Sequence, residues 1–112
     1  MSLQLALEKL SPVSEFSMYI LLSLYEGENH GYGIVVKTRR LTAGRLELKT
    51  ATVYSAINRF IDYGLVKLTT EHEGKKFYEL TNDGVIFIKS EYEKIKQLEY
   101  NAHTILFMEE SI

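Results

Sequence analysis

Hydrogen-bonding side chains recur on one side of residues 50–64, at a spacing that suits contact with nucleic acid. The segment begins with a threonine, a residue suited to helix N-capping, and closes with Gly64, the usual residue just past a helix end. Apolar residues recur at the spacing of a buried helical face: Val53, Ile57, Phe60 and Ile61. The opposite face carries Ala51, Thr52, Ser55, Asn58, Arg59 and Asp62. Such a helix could lie in the major groove of DNA.

Each of these side chains has a definite chemistry toward DNA. Asn58 could pair with adenine, Thr52 could offer its methyl group to thymine, and Ser55 shares their face. Arg59 could reach a phosphate or a guanine, or extend along the surface without a partner. Tyr54 lies beside the apolar stripe, so its phenol either contacts DNA or packs in the core. We place Thr52, Ser55 and Asn58 ahead of the other two as base readers.

The residues at the start of this helix favour phosphate. Lys49 and Thr50 precede or open it, and the free backbone amides of a helix N-terminus attract anions. The sequence therefore predicts phosphate contacts here, beside Ala51.

The elements before the central helix complete a helix-turn-helix order. Residues 3–10 and 12–26 read as helices, the second with Phe16, Ile20, Leu21 and Leu24 as an apolar stripe. A turn at 28–31 leads to a third helix from Tyr32 to Leu41, with Tyr32, Val35 and Val36 inward. Residues 45–48 alternate and predict a very short strand.

A hairpin follows the central helix. Residues 65–71 and 76–80 have strand character, and Glu73-Gly74 between them is a turn signal. Lys75 and Lys76 near the tip could contact phosphate, whereas Glu71 and Glu73 favour a plain hairpin that only closes the core.

The final helix is too long for the core of so small a domain. Residues 81–84 form a helix start, and from Val85 onward more than 20 residues follow without a glycine or proline. Its apolar residues alternate steps of three and four: Val85, Ile88, Tyr92, Ile95, Leu98, Ala102 and Ile105. This stripe either contacts a second copy, as in a coiled coil, or folds back on residues 3–26. We favour the dimer.

Composition and charge bound the function. A chain of 112 residues has room for one domain of ordinary size, and the absence of cysteine excludes disulfides and thiolate chemistry and fits a reducing cytoplasm. The net charge of −2 is uneven: residues 1–30 and 81–112 each carry −3, and residues 31–80 carry +4. A basic middle is compatible with DNA binding, although a solvated charged surface explains it equally well. No membrane span is expected.

Catalytic and metal chemistry are not expected. The three histidines lie in a turn, a hairpin and the last helix, without metal-ligand spacing, and His30 is best explained as a helix-start residue. No catalytic triad or phosphate-cradling loop is present, so we predict no enzyme, no metal and no cofactor.

Five stretches together resemble a known family. They are ILLSL at 20–24, HGYGI at 30–34, TATVYSAI at 50–57, DYGLV at 62–66 and KFYELTNDG at 76–84. In this order and spacing they resemble the PadR family of transcriptional regulators, which are winged helix-turn-helix proteins, and the short C-terminal extension resembles its compact subgroup. The resemblance implies a mainly helical fold with a small β-hairpin: a DNA-binding domain at 1–80 and a dimerisation helix at 81–112.

The resemblance also implies partners. These are a second copy of the chain and a pseudo-palindromic operator in double-stranded DNA, with half-sites about 34–36 Å apart. It implies a repressor that a small aromatic or cationic effector often relieves, bound between the subunits. The chain departs from some members of the subgroup because it has no tryptophan to stack on such a ligand. Two alternatives stay open: a protein-interaction adaptor that has lost DNA binding, and a ligand sensor that uses the dimer cavity.

Overall fold

Residues 2–108, which the computed structural model describes, form five α-helices, one hairpin and a short π-helix. The elements in chain order are α1 (Leu3–Leu10), α2 (Glu15–Tyr25), α3 (Gly31–Leu41), α4 (Thr50–Asp62), β1 (Val66–His72), β2 (Lys75–Leu80), α5 (Asn82–His103) and the π-helix (Thr104–Met108). This mainly helical fold with a small hairpin and a long last helix confirms the predicted fold class. None of the described helices is long and apolar enough to cross a membrane.

Side chains at the helix starts explain where most of the helices begin. Ser14, His30 and Thr81 each accept a hydrogen bond from the backbone N–H three residues on, at 3.0–3.2 Å. The predicted roles of His30 and Thr81 as helix-start residues are therefore confirmed. Helix α4 differs, because its N-cap is Lys49, which makes no side-chain capping bond, and Thr50 is already helical. The prediction that a threonine caps α4 is wrong by one residue.

Helix α2 lies at the centre of the core and contacts α3, α4, β2 and α5. The largest fully buried apolar side chains come from the four α-helices α2, α3, α4 and α5 and from the residue just before β1. They are Ile20, Leu21, Leu24, Ile34, Val53, Ile57, Leu65 and Phe87. Because α4 contributes two of them, its back face is fixed on the core and its outward face is held in one orientation.

The buried stripe of α3 differs from the prediction. Gly31, Ile34, Val35 and Thr38 are buried, in steps of three, one and three. Tyr32 is 59% exposed and Val36 is also exposed, so the expectation that they face inward is wrong. The stripe begins one residue earlier because the small Gly31 allows α4 to approach the start of α3 closely. Phe16 on α2 is exposed as well, which leaves it outside the core.

The hairpin turns at Glu73 and Gly74, whose φ angles of 52° and 78° suit a tight two-residue turn. Its register pairs Val66 with Leu80 and His72 with Lys75, and it shifts by one residue between Leu68 and Thr70. The shift is a bulge that comes just after Leu68. Leu68 is exposed, although it pairs with the buried Tyr78.

The short strand predicted at 45–48 does not form. Residues 46–49 have no regular structure, and the second edge of β2 is occupied by residue 29. The backbones of Asn29 and Tyr78 exchange two hydrogen bonds, of 2.8 and 2.9 Å. Leu48 is nevertheless buried, which accounts for the alternating pattern in the sequence without a strand.

Helix α5 is covered by its own chain over only its first half. Phe87, Ile88 and Glu91 are buried against the rest of the molecule, including α1 and α2. Glu91 accepts hydrogen bonds from the hydroxyl of Ser11 at 2.7 Å and the N–H of Val13 at 3.0 Å, which ties the α1–α2 connection to α5. Between Tyr92 and His103, only Ala102 is partly buried.

The predicted boundaries of the two segments, 1–80 and 81–112, stay a prediction. Residues 1 and 109–112 lie outside the described residues.

Candidate nucleic-acid interface

Helix α4 presents the surface that the sequence assigned to DNA. Its side chains at Val53, Ile57 and Phe60 are buried, and Ile61 is partly buried. All six residues assigned to the opposite face are exposed: Ala51, Thr52, Ser55, Asn58, Arg59 and Asp62. Helix α3 packs on α4, and residues 42–49 connect the two. The pair therefore has the order of a helix-turn-helix unit with an open second helix.

The start of α4 leaves backbone donors without a side-chain acceptor. The other four α-helices have a side chain that accepts a backbone N–H at their N-cap, whereas Lys49 makes no such bond. Lys49 and Thr50, which are next to these amides in the chain, are both exposed. This arrangement of free amides and an adjacent cation suits a phosphate oxygen.

Ion pairs divide the nine cations of residues 31–80 into two groups. Four are paired with carboxylates: Lys37 with Glu26, Arg39 with Glu47 at 2.8 Å, Arg45 with Glu15 at 2.6 Å and Lys67 with Glu79 at 3.3 Å. Within residues 2–108 the other five form no ion pair: Arg40, Lys49, Arg59, Lys75 and Lys76. Four of these five are the cations that the sequence assigned to DNA. The uncompensated positive charge of the basic middle segment therefore lies mainly at the predicted contacts.

Two of the pairs are well formed although they lie at the surface. Hydrogen bonds from Arg45 lower the pKa of Glu15, and the same bonds raise the pKa of Arg45. Glu47 raises the pKa of Arg39 in the same way. Because these guanidinium groups already have anionic partners, they are poorer candidates for phosphate than Arg40, which sequence reasoning missed. A pairing 30 residues apart, such as Arg45 with Glu15, leaves no local signal in the sequence.

Tyr54 lies on a different side of α4 from the polar face. Its ring meets the Tyr78 ring edge-on, with centroids 6.4 Å apart, and it is partly buried. A Cβ added to Gly31 would lie 2.6 Å from Cζ of Tyr54, so the ring fills the space left by that glycine. The packing alternative thus has direct structural contacts, and a DNA contact by Tyr54 stays a prediction.

The hairpin places Lys75 and Lys76 at an exposed tip, close to the start of α3. His30 caps α3 and meets the ring of Phe77 on β2 edge-on, at 5.2 Å. Burial lowers the pKa of His30, and the positive charge of Lys75 lowers it further. The imidazole is therefore held in the neutral form that its capping role requires. Glu71 is opposite Lys76 in the hairpin register, so the tip is less basic than its two lysines suggest.

The predicted dimer contacts fall into two groups. Ile88 is buried in the core of its own chain, and Val85 and Ala102 are partly buried. The others are exposed: Tyr92, Ile95, Leu98 and Ile105. Next to them, a cleft of about 510 Å³ is lined by Met18, Tyr19 and Leu22 of α2, by Tyr92 and Ile95 of α5, and by Glu15.

A family comparison identifies the class of protein to which this helix-turn-helix unit and hairpin belong. Residues 20–90, more than half of the chain, match the family described as the transcriptional regulator PadR-like family. The chain belongs to that family. The resemblance drawn from its five sequence stretches is therefore confirmed.

Relatives and solved structures agree with PadR-like membership. Transcriptional regulator YqjI of Escherichia coli K12 is 25% identical over 85 residues, which are 76% of this chain and 41% of that protein. The chain thus spans less than half the length of this relative. A transcriptional regulator from Clostridium thermocellum superposes with a TM-score of 0.74 at 25% identity, over 84% of this chain and 98% of that one.

Two further structures extend the comparison. Bacillus subtilis PadR, solved in complex with operator DNA, has a TM-score of 0.62 and 25% identity, over 70% of this chain and 47% of that one. A PadR-like regulator from Bacillus cereus has a TM-score of 0.70 over 92% of this chain and 97% of that one, and at 15% identity it shows the fold alone.

Membership also bears on catalysis. PadR-like proteins are transcriptional regulators and not enzymes, which confirms the prediction that this chain is not an enzyme. Over residues 2–108, no three histidine, aspartate or glutamate side chains are grouped so that they could hold a metal ion.

Proposed function

We propose that this PadR-like regulator is a homodimer that binds a pseudo-palindromic operator in double-stranded DNA, with one α4 in the major groove of each half-site. The observation that carries the proposal is the exposed face of α4. It offers hydrogen-bonding groups at Thr52, Ser55 and Asn58, and the cations Lys49 and Arg59, which form no ion pair within residues 2–108. Bacillus subtilis PadR, a structural relative, binds operator DNA.

The second half of α5 supports the homodimer. Tyr92, Ile95 and Leu98 are 46–68% exposed and lie at helical spacing on one side of the helix. An exposed apolar stripe of this length is typical of a protein interface. Two copies of α5 that pack on one another, or on α2 of the partner, would bury it and set the distance between the two α4 helices.

We further propose that the regulator represses transcription and that a small aromatic or cationic molecule relieves repression. The cleft between α2 and α5 supports such an effector, because Tyr19 and Tyr92 line it and offer aromatic faces to an aromatic or cationic molecule. Since the cleft adjoins the proposed dimer surface, an occupant would act on the spacing of the subunits. A cytoplasmic location follows from this function.

The test begins with the selection of duplexes from a random DNA library by the full chain. The affinity for the selected duplex should then be measured across a range of salt, where log affinity falls with log salt by about 0.9 for each phosphate contact. Asn58→Ala and Arg59→Ala should each lower the affinity for the selected duplex by about 5- to 150-fold, which corresponds to the loss of a bidentate base contact of about 1–3 kcal/mol. Asn101→Ala on α5 is the matched control and should bind like the wild type.

The outcomes separate the alternatives. Unchanged binding by both α4 variants would show that the assigned recognition face is wrong. A tight dimer with no DNA affinity above background, even at low salt, would favour a protein-interaction adaptor. Stabilisation against heat by aromatic cations, without any DNA binding, would favour a ligand sensor, because a ligand that binds only the folded state raises its stability.

A further inference from the structure

A second cleft lies on the DNA side of the molecule, between α4 and the N-terminal segment. It has a volume of about 690 Å³, and one wall is the outward face of α4, including Thr52, Ser55 and Arg59. The other wall is the end of α1, the α1–α2 connection and the start of α2, including Lys9, Ser14 and Ser17. The surface assigned to DNA therefore continues past α4 onto residues 9–17.

The polar groups of this cleft are all suited to an anion. Two cations and four hydroxyl groups line it, and none of its lining residues is acidic. This is unusual for a chain with more acids than bases, and Lys9 is the one cation among residues 1–30, which carry four acids. Over the described residues Lys9 forms no ion pair with any of them.

The cleft and the hairpin lie on different sides of α4. Tyr54, which packs on Tyr78 of β2, is not among the residues that line the cleft, whereas Ser55 is. A helix is about 10–12 Å across and the major groove is about 12 Å wide, so the two phosphate strands run along both flanks of an inserted helix. The hairpin tip can meet one strand, and the cleft faces the other.

We propose that a phosphate of the DNA backbone binds in this cleft, held by the ammonium group of Lys9 and by the hydroxyl of Ser17, while α4 enters the adjacent major groove. An ammonium group neutralises the phosphate, and a hydroxyl donates to its oxygen. Arg59 lies on the opposite wall of the cleft. This inference rests on the proposed DNA binding by α4 and extends the interface to α1.

The first experiment compares Lys9→Gln with Lys9→Arg on the duplex selected by the wild type. Lys9→Gln should lower the salt slope by about 0.9 for each bound protomer, which amounts to about an eightfold loss of affinity per protomer at 0.1 M salt. The loss should be equal on selected and unrelated duplexes, because phosphate contacts carry no sequence information. Lys9→Arg should retain the wild-type slope. The control Lys96→Gln removes the same charge from α5, outside the cleft, and should leave the slope unchanged.

The second experiment locates the phosphate. Duplexes are made that carry a neutral methylphosphonate at one position at a time. At one position beside the half-site, the modification should lower the affinity of the wild type but leave the affinity of Lys9→Gln as it is on the unmodified duplex. If neutralisation costs Lys9→Gln as much affinity as it costs the wild type at every position, Lys9 acts only through the general field or binds a free anion. The inference is then overturned.

Failure of the inference and failure of the proposed function give different results. A wild type that selects no duplex, or α4 variants that bind normally, would remove the basis for both. A wild type that depends on Asn58 and Arg59 while Lys9→Gln keeps the full salt slope would overturn the cleft contact alone.

Discussion

Helices α4 and α5 are both amphipathic, but they differ in what they leave uncovered. On α4 the chain itself buries the apolar residues Val53, Ile57 and Phe60, and the exposed face is polar. On α5 the chain buries the apolar residues Phe87 and Ile88, but the apolar stripe beyond Glu91 is exposed. A polar face can stay in water until a charged partner arrives, whereas an apolar stripe gains free energy from permanent cover. The contrast favours DNA at α4 and a second protomer at α5.

The largest expected effect contrasts the two halves of α5. Phe87→Ala should lower the free energy of unfolding by about 3–5 kcal/mol, because the ring is fully buried and its loss leaves a cavity. Leu98→Ala should cost the isolated chain almost nothing, since this side chain is 68% exposed. In a dimer, however, each copy should lose about 1.5–3 kcal/mol of buried apolar contact.

Urea unfolding at several protein concentrations separates the two effects. The loss in Phe87→Ala should not depend on concentration, whereas the loss in Leu98→Ala should be largest in concentrated protein and shrink as dilution separates the subunits, because the isolated chain loses almost nothing. Sedimentation should show a larger monomer fraction for Leu98→Ala only. An unchanged dimer in Leu98→Ala would show that the exposed half of α5 is not the interface, and the contrast between the helices would lose its basis.

The next effect concerns Glu91, where the covered half of α5 ends. Burial by itself would raise the pKa of this carboxyl, but the hydrogen bonds from Ser11, Val13 and Lys94 outweigh it and hold the pKa below its ordinary value. Glu91→Ala leaves the Ser11 hydroxyl and the Val13 N–H without their acceptor. It should cost about 2–3 kcal/mol at neutral pH, as expected for lost hydrogen bonds to a charged group.

The same carboxyl predicts a pH dependence. Because its folded pKa is lowered, its contribution is complete above the unfolded value near 4.5 and is lost as the pH falls through the folded pKa. Wild type and Glu91→Gln should therefore differ most in stability at neutral pH and converge in acid. Glu93→Gln, at an exposed position two residues on, is the control. A difference in stability between wild type and Glu91→Gln that persists below the folded pKa would mean that Glu91 stabilises the chain by packing and not by charge.

Sequence reasoning located the elements that have a period and an end signal. Helix α4 lies within one residue of its predicted start, because its apolar repeat and Gly64 are local features. Thr81 begins α5 as expected for the same reason. The exposed polar face of α4 also followed from the period, because burial of Val53 and Ile57 fixes the direction of every other side chain on that helix.

The features that sequence reasoning missed depend on contacts between distant residues. Glu91 meets Ser11 across 80 residues and Arg45 meets Glu15 across 30, and neither pair has a periodic signature. The period of α5 likewise could not show that cover from α1 and α2 ends at Glu91. For Tyr32 and Tyr54, the apolar pattern could not show whether a neighbouring element covers the ring.

The smallest expected effect tests how α4 is held on α3. Gly31→Ala would place a Cβ 2.6 Å from Cζ of Tyr54, so the ring must move, at a cost of about 1–3 kcal/mol in unfolding free energy. In a Tyr54→Ala background the same change should cost much less, because the clash is gone, and the two substitutions should be clearly non-additive. Urea unfolding of the four variants measures this coupling.

If the effects add, and if Gly31→Ala weakens DNA binding at unchanged stability, the Tyr54 ring faces DNA and belongs with the polar face of α4. A strong coupling at unchanged DNA specificity would instead assign Tyr54 to the packed side of α4, which would leave Thr52, Ser55, Asn58 and Arg59 as the residues of that helix able to read bases.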